Sequence, residues 1–277
     1  MLAAAPSTPA LVQEFQENGF VRIPGALTAP QVTALHQAID RDLETSPESW
    51  VRFDETLIET VDILLRAPDF DFTIENPVTL GFLRGLLGED ITFEEFEVMI
   101  REPTGKPRDV KGWHRDMIRD YHRRMEIGYI SVIYYLTDVT ERDHCFSIIP
   151  KTHNSRVDLR PEEVAPGEEH DLLGPAGTAV IFHGRCIHSG KLKVNSRQRR
   201  TLHLYYWTAA HPRASEWTEI PPRLYQRREP GLPPKLYSKW NVTDVVEGVG
   251  KKPRDLDLRM PVTEMIREVQ RRANRRG

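Results

Sequence analysis

Gly112-Trp113-His114-Arg115-Asp116 is answered far downstream by Phe182-His183-Gly184-Arg185-Cys186-Ile187-His188 and, eleven residues beyond that, by Arg199. A histidine and an aspartate two residues apart on an extended strand point to one face, because strand side chains alternate with a period of two. His114 and Asp116 can therefore grip one ion together. A second imidazole from a distant strand, His188, completes a two-His-one-carboxylate face on an octahedral metal and leaves three positions open. Open neighbouring positions suit an iron(II) centre that must take O2 and a chelating co-substrate. Of the two downstream histidines, His183 lies on the opposite strand face from His188, and its expected role is to support the strand end.

The elements around these residues must bring them together. Residues 178–182 form a β-branched run opened by Gly177, and Thr201-Leu202-His203-Leu204-Tyr205-Tyr206-Trp207 is a second strand-like run. His188 and Arg199 then lie on or beside neighbouring strands, where a guanidinium can meet a dicarboxylate chelated to the metal. Arginine suits that task better than lysine because it offers two parallel charge-assisted hydrogen bonds to a carboxylate. Thr201, two residues on and on the same face, adds a hydroxyl. Ser131, on the run Ile130-Ser131-Val132-Ile133-Tyr134-Tyr135, is a candidate for a further hydroxyl to the co-substrate, with Tyr135 on the same face. Trp113 and Arg115, flanking the first ligand, are candidates for contact with the organic substrate.

These residues resemble the phytanoyl-CoA dioxygenase family of Fe(II)- and 2-oxoglutarate-dependent oxygenases, over about residues 11–210. The opening Phe15-Gln16-Glu17-Asn18-Gly19-Phe20-Val21-Arg22-Ile23-Pro24-Gly25-Ala26-Leu27, with a helix starting near Thr28, is similar to the family's start. The stretch from Tyr135-Leu136-Thr137-Asp138-Val139-Thr140 to Ile149-Pro150-Lys151-Thr152-His153 is similar to its central strand and Pro-containing turn. The resemblance implies a double-stranded β-helix, metal ligands at His114, Asp116 and His188, and 2-oxoglutarate bound by Arg199. It further implies Fe(II), O2 and 2-oxoglutarate as the cofactor and co-substrates, with succinate and CO2 released. Because Asp116 is present, it implies hydroxylation, desaturation, epoxidation or ring formation rather than halogenation. The chain departs from the family in three places. His144 stands where the family usually has Gly, which implies an altered turn there, since Gly tolerates positive φ cheaply. Lys151-Thr152 replaces Gly-Ser, and Ser189-Gly190 follows the distal histidine.

Around this site the chain reads as α+β: helices over 11–19, 28–44 and 77–88, then strands over 91–101, 126–136, 146–150, 178–182 and 198–208. Helices first and strands afterwards predict a jelly-roll, cupin-like core with flanking helices. The expected organisation is one oxygenase domain over 1–277. It has a helical N-terminal part at about 11–90, the jelly-roll at about 91–210, and an irregular and helical C-terminal extension at about 211–277. The last segment, 251–277, carries nine Lys or Arg against four Asp or Glu and reads as a helix with a solvated basic face.

Composition narrows the setting. With 277 residues, 39% hydrophobic, 29% charged and a net charge of −3, the chain matches an ordinary globular protein with no general pull toward nucleic acid. No stretch reaches the roughly 20 apolar residues of a membrane span, and the start lacks the pattern of a secretion signal. A cytoplasmic location is expected, with Cys145 and Cys186 reduced and packed in the core. The expected partner is a small molecule; the oligomeric state has no sequence signal. Residues 117–125, rich in arginine, fall between the first ligand and the next strand. If they close over the metal, Arg119 and Arg123 would favour an anionic substrate. The competing functions are a cupin-like metal enzyme that is not an oxygenase and a non-catalytic binding protein on the same scaffold. The first has no use for Arg199, and the second would be expected to have lost a ligand.

Overall fold

The computed structural model describes residues 8–106, 112–116, 129–155, 163, 167–195, 197–209, 218–227 and 229–237. Arg119 and Arg123, and the expected C-terminal basic helix, lie outside the described residues.

The N-terminal part is built by capping and turn chemistry. Helix α1 (Thr8–Asn18) stops at Gly19, whose φ of 83° turns the chain directly into strand β1 (Phe20–Ile23). Any Cβ on Gly19 would run into Cys186 and His153, so this turn requires glycine on two counts. Helix α2 (Ala29–Thr45) opens on a capping box: the Thr28 hydroxyl accepts from the Gln31 backbone N–H, and the Gln31 side chain takes the Thr28 N–H at 2.8 Å. Two short strands, β2 (Val51–Arg52) and β3 (Leu57–Thr60), precede the one-turn helix α3 (Asp71–Ile74). Helix α4 (Pro77–Leu87) starts from Asn76, whose side chain accepts from the Val78 and Thr79 N–H groups, and ends at Gly88.

The strands that follow are β4 (Ile91–Arg101), β5 (Ile130–Tyr135), β6 (Cys145–Ile148), β7 (His170–Leu172), β8 (Ala179–His183), β9 (His188–Lys191) and β10 (Arg199–Thr208), with a last short helix, α5 (Pro222–Tyr225). They form two antiparallel sheets, a seven-stranded one in the order β1-β8-β5-β10-β4-β3-β2 and a three-stranded one in the order β7-β6-β9. This is the α+β jelly-roll that the sequence leads one to expect.

Each face of the larger sheet has its own lining. The outer face is covered by helices. Tyr134 meets Thr79 at 2.8 Å, Tyr206 donates to the Ile74 carbonyl at 2.8 Å, Phe96 packs edge-on to Phe70, and Arg200 pairs with Asp40 on α2 at 2.7 Å. The inner face meets the smaller sheet through a buried cluster that includes Ile133, Tyr135, Phe146, Ile148, Val180 and Phe182. Both faces are thus dry over most of their area, and β5 and β8 are buried at every position.

Two expectations change. The His114–Asp116 segment is not a continuous strand: His114 forms an isolated bridge with His188, exchanging both N–H···O bonds at 3.0 and 2.9 Å, and Asp116 sits in a bend. The bridge fixes His114 across from His188 without a ladder. Cys186, expected to be packed in the core, is buried with its thiol toward the Gly19 carbonyl, and burial pushes that thiol up to about 12. The costly departure from the family pattern falls at Lys151, with φ 66°, and not at His144, which is not among the positive-φ residues. His144 is instead held between the Glu102 carbonyl and the Lys193 N–H.

Candidate active site

Three donors converge at one end of the barrel. The Nε2 atoms of His114 and His188 lie 3.6 and 3.2 Å from Asp116 Oδ1, and the donor atoms of the three residues all fall within 4.8 Å of one another. Neighbouring ligands of an octahedral first-row ion held at roughly 2.1 Å are separated by about 3 Å, so these spacings fit one ion. Each imidazole is oriented from behind. His114 Nδ1 sits 2.6 Å from the Gly112 carbonyl and His188 Nδ1 sits 2.9 Å from the Cys186 carbonyl. A carbonyl can only accept, so Nδ1 carries the proton and Nε2 keeps its lone pair for a metal.

Asp116 is fixed in the same way. Its Oδ2 accepts from the Ser131 hydroxyl at 3.0 Å, leaving Oδ1 toward the histidines. Gly184 allows this approach, since a Cβ there would meet the Tyr129 ring at 2.8 Å and Asp116 Cβ at 3.5 Å. Burial opposes ionisation of Asp116, but the neighbouring His188 and His114 outweigh it and hold the carboxyl well below the usual range. Exposure runs across the group: the His188 side chain is 5% exposed, Asp116 15% and His114 56%, so the centre opens on the His114 side.

Further along the inner face lies Arg199, 7% exposed, with its guanidinium carbon 5.7 Å from the Tyr135 ring centroid. Its buried Nε has no hydrogen-bond partner, and no carboxylate pairs with it among the described residues. Burial lowers its pKa because the charge is poorly solvated there. A buried, uncompensated guanidinium in a site with three ion-binding donors calls for an anion. The residues present therefore fit both groups that the resemblance implies, a metal ion and a dicarboxylate.

The remaining expected residues divide. Thr201 shares the inner face with Arg199, and its Oγ1 lies 3.1 Å from His203 Nε2. Ser131 holds the metal-side carboxylate through its hydroxyl. The Tyr135 hydroxyl is committed to the Leu172 carbonyl at 2.6 Å, so only its ring faces Arg199. Arg115 turns away from the open side, is buried, and donates to Ser155 Oγ at 2.7 Å and toward the Thr152 carbonyl. Trp113 is half-buried beside His114. His183 accepts from the Arg185 N–H and lies 6.4 Å from the Phe15 ring, which agrees with a supporting role. His203 and Tyr129 were not singled out from sequence. For His203 a signal existed, since it continues the two-residue step from Arg199 and Thr201.

Comparison with known proteins agrees with the fold. A model of the phytanoyl-CoA dioxygenase family matches residues 15–201. An L-proline trans-4-hydroxylase from Streptomyces griseoviridis is 26% identical over 253 residues, covering 76% of this chain and 92% of its own length. Among solved structures, the epimerase SnoN in complex with Fe3+, alpha ketoglutarate and nogalamycin RO aligns with a TM-score of 0.62 at 20% identity, over 81% of this chain and 90% of that one. The alpha ketoglutarate dependent carbocyclase SnoK from nogalamycin biosynthesis aligns at 0.63 with 18% identity, over 83% and 96%. At these identities the structural matches speak for the fold.

Proposed function

The chain belongs to the phytanoyl-CoA dioxygenase family and is a non-haem iron, 2-oxoglutarate-dependent oxygenase, and on that premise we propose that it hydroxylates a small organic substrate, with release of succinate and CO2. What carries the reading at the level of residues is the pairing of two features. The His114, Asp116 and His188 donors converge on one point, and Arg199 stands buried and uncompensated on the same inner face.

In this reading His114, Asp116 and His188 hold the metal and leave the exposed His114 side for substrate. Iron, O2 and 2-oxoglutarate supply the oxidising chemistry when bound. The protein's residues do the placing. Arg199 would take the far carboxylate of 2-oxoglutarate, Thr201 would add a hydroxyl, and the Tyr135 ring packs beside the guanidinium. Ser131 contributes indirectly, by holding Asp116 so that a single carboxylate oxygen faces the histidines. The apolar cluster around Phe146 and Phe182 keeps water from the inner face of His188, whose ring it contacts. A preference for an anionic substrate would depend on Arg119 and Arg123, and Arg115 does not contribute to it because its guanidinium is used on Ser155 and Thr152.

Anaerobic titration tests the assignment. Fe(II) followed by 2-oxoglutarate should produce a weak visible charge-transfer band in the metal-stripped chain, and the band should vanish in His188→Ala. A chain that binds iron yet develops no band would sink the proposal. Candidate compounds can then be screened for stimulated succinate release, with mass spectrometry showing one added oxygen atom in the product for hydroxylation.

A further inference from the structure

Strand β10 presents a row of inner-face side chains in two-residue steps: Arg199, Thr201, His203 and Tyr205. Its pairing with β5 places Thr201 opposite Tyr135, His203 opposite Ile133, and Tyr205 opposite Ser131. Ser131 is the residue that holds Asp116. His203 therefore occupies the rung between the Arg199 end of the site and the metal end. Charged groups of both ends, Arg199 and Arg101 as well as Asp116 and His188, act on its imidazole. Nothing in the proposed ligand sets uses it.

Its ring is half-buried and its hydrogen bonding is one-sided. Nε2 lies 3.1 Å from Thr201 Oγ1, and Nδ1 meets no partner among the described residues. The Thr201 hydroxyl likewise has no other partner among them. Burial, then the Arg199 charge, brings the imidazole down to about 3, so the ring is neutral and carries one N–H. A hydroxyl has one proton to give and lone pairs to accept with. If its proton is to serve a carboxylate, the lone pair must be the part that meets His203.

We propose that His203 is a positioning residue for the co-substrate: its Nε2–H donates to Thr201 Oγ1 and thereby turns the threonine proton toward the carboxylate that Arg199 clamps. The inference rests on the oxygenase reading above and extends it by one residue. A free threonine hydroxyl rotates among three staggered positions, and a fixed donor at its back removes the unproductive ones. The neutral imidazole does this without adding a second positive charge beside Arg199.

The test measures 2-oxoglutarate affinity directly, by anaerobic calorimetry on the Mn(II)-loaded full chain, alongside KM and kcat. His203→Leu and Thr201→Val should each weaken 2-oxoglutarate about tenfold, in line with loss of a hydrogen bond to a charged group. The double variant should lose no more than either single one. His203→Gln, whose side-chain amide can place an N–H near the Nε2 position, should recover most of the affinity. KM for 2-oxoglutarate should rise in His203→Leu with kcat at saturation nearly unchanged, and circular dichroism checks that the variants fold. Unaltered affinity in His203→Leu, or additive losses in the double variant, would overturn the role of His203. Arg199→Leu run in parallel separates the two levels: if it too leaves affinity unaltered, the co-substrate assignment itself is wrong, whereas loss there with a silent His203→Leu removes only the present inference.

Discussion

The two faces of the seven-stranded sheet are made by the same strands and do different work. On β10, Leu202, Leu204 and Tyr206 are fully buried on the outer face, while Arg199, Thr201, His203 and Tyr205 line the inner one. On β5, Val132 and Tyr134 alternate with Ser131, Ile133 and Tyr135. The outer face is satisfied by the helices packed on it: its tyrosine hydroxyls find Thr79 and the Ile74 carbonyl, and its arginine finds Asp40. On the inner face the buried Arg199 Nε has no hydrogen-bond partner among the described residues. Unmet polar groups in a packed interior cost free energy unless something arrives to meet them, so the difference between the faces locates where ligands belong.

The largest expected effect comes from deleting a donor. His188→Ala and Asp116→Ala should reduce iron-dependent turnover below detection and strip the iron from the protein, measured by metal analysis. The circular dichroism spectrum should stay that of the parent, because the helix-packed seven-stranded sheet carries none of the three ligands. An Asp116→Ala protein that kept its iron would break the contrast between the faces at its strongest point.

Next comes Arg199. Removing it should weaken 2-oxoglutarate at least tenfold, as losing one partner of a buried charged pair typically costs about 2–5 kcal/mol. Arg199→Lys should lose less, since it keeps the charge but not the two-pronged geometry. Both are read from anaerobic binding titrations. The matching outer-face experiment is Leu204→Ala, one residue from His203 and fully buried. It should cost about 2–5 kcal/mol of stability by urea unfolding, with 2-oxoglutarate affinity in the folded protein nearly unchanged. If Leu204→Ala weakened the co-substrate as much as Arg199→Lys does, the faces would not be separable.

How legible this division was depends on what kind of signal a residue carries. The His114, Asp116 and His188 set was readable because residue type and spacing constrain metal chemistry tightly. Strand β4 was readable to the residue, since β-branched and aromatic side chains recur along it and it ends in the turn-forming Glu102-Pro103-Thr104-Gly105. Strand β9, His188-Ser189-Gly190-Lys191, was not, because it has almost no intrinsic strand preference and is held by pairing with β6. The role of Ser131 was placed on the right face but given the wrong partner. Its distance to Asp116 is set by a segment that reaches the sheet through a single bridge, and no periodicity reports that. His203 was passed over because one histidine inside an apolar strand resembles a packed core residue until its hydrogen bonds are known.

The last effect bears on stability alone, through pH, and again sets the faces apart. His183, on β8 and in contact with Phe15 of α1, belongs to the helix-covered side. Burial first, then the nearby His153 and Arg185, bring it down to about 3 from the ordinary 6.5. Above pH 6.5 neither the folded nor the unfolded chain carries this proton, so the group contributes no pH dependence. Below 6.5 the unfolded chain takes the proton up and the folded chain does not, until about pH 3. Stability should therefore fall across that window, by up to about 1.4 kcal/mol per pH unit from this one group. His203, held down equally far on the inner face, adds a second contribution of the same sign. His183→Asn keeps an acceptor for the Arg185 N–H but cannot titrate, so urea unfolding between pH 7 and 4 should show a slope shallower by about one proton. Asp171 also destabilises the chain in acid, because Ser147, Lys193 and Lys191 hold its carboxyl at about 2 against the upward push of burial, but its window lies lower, from 3.8 to 2. An unchanged slope in His183→Asn above pH 4 would mean that this histidine accepts its proton while folded, and the outer face would then be less dry than its packing indicates.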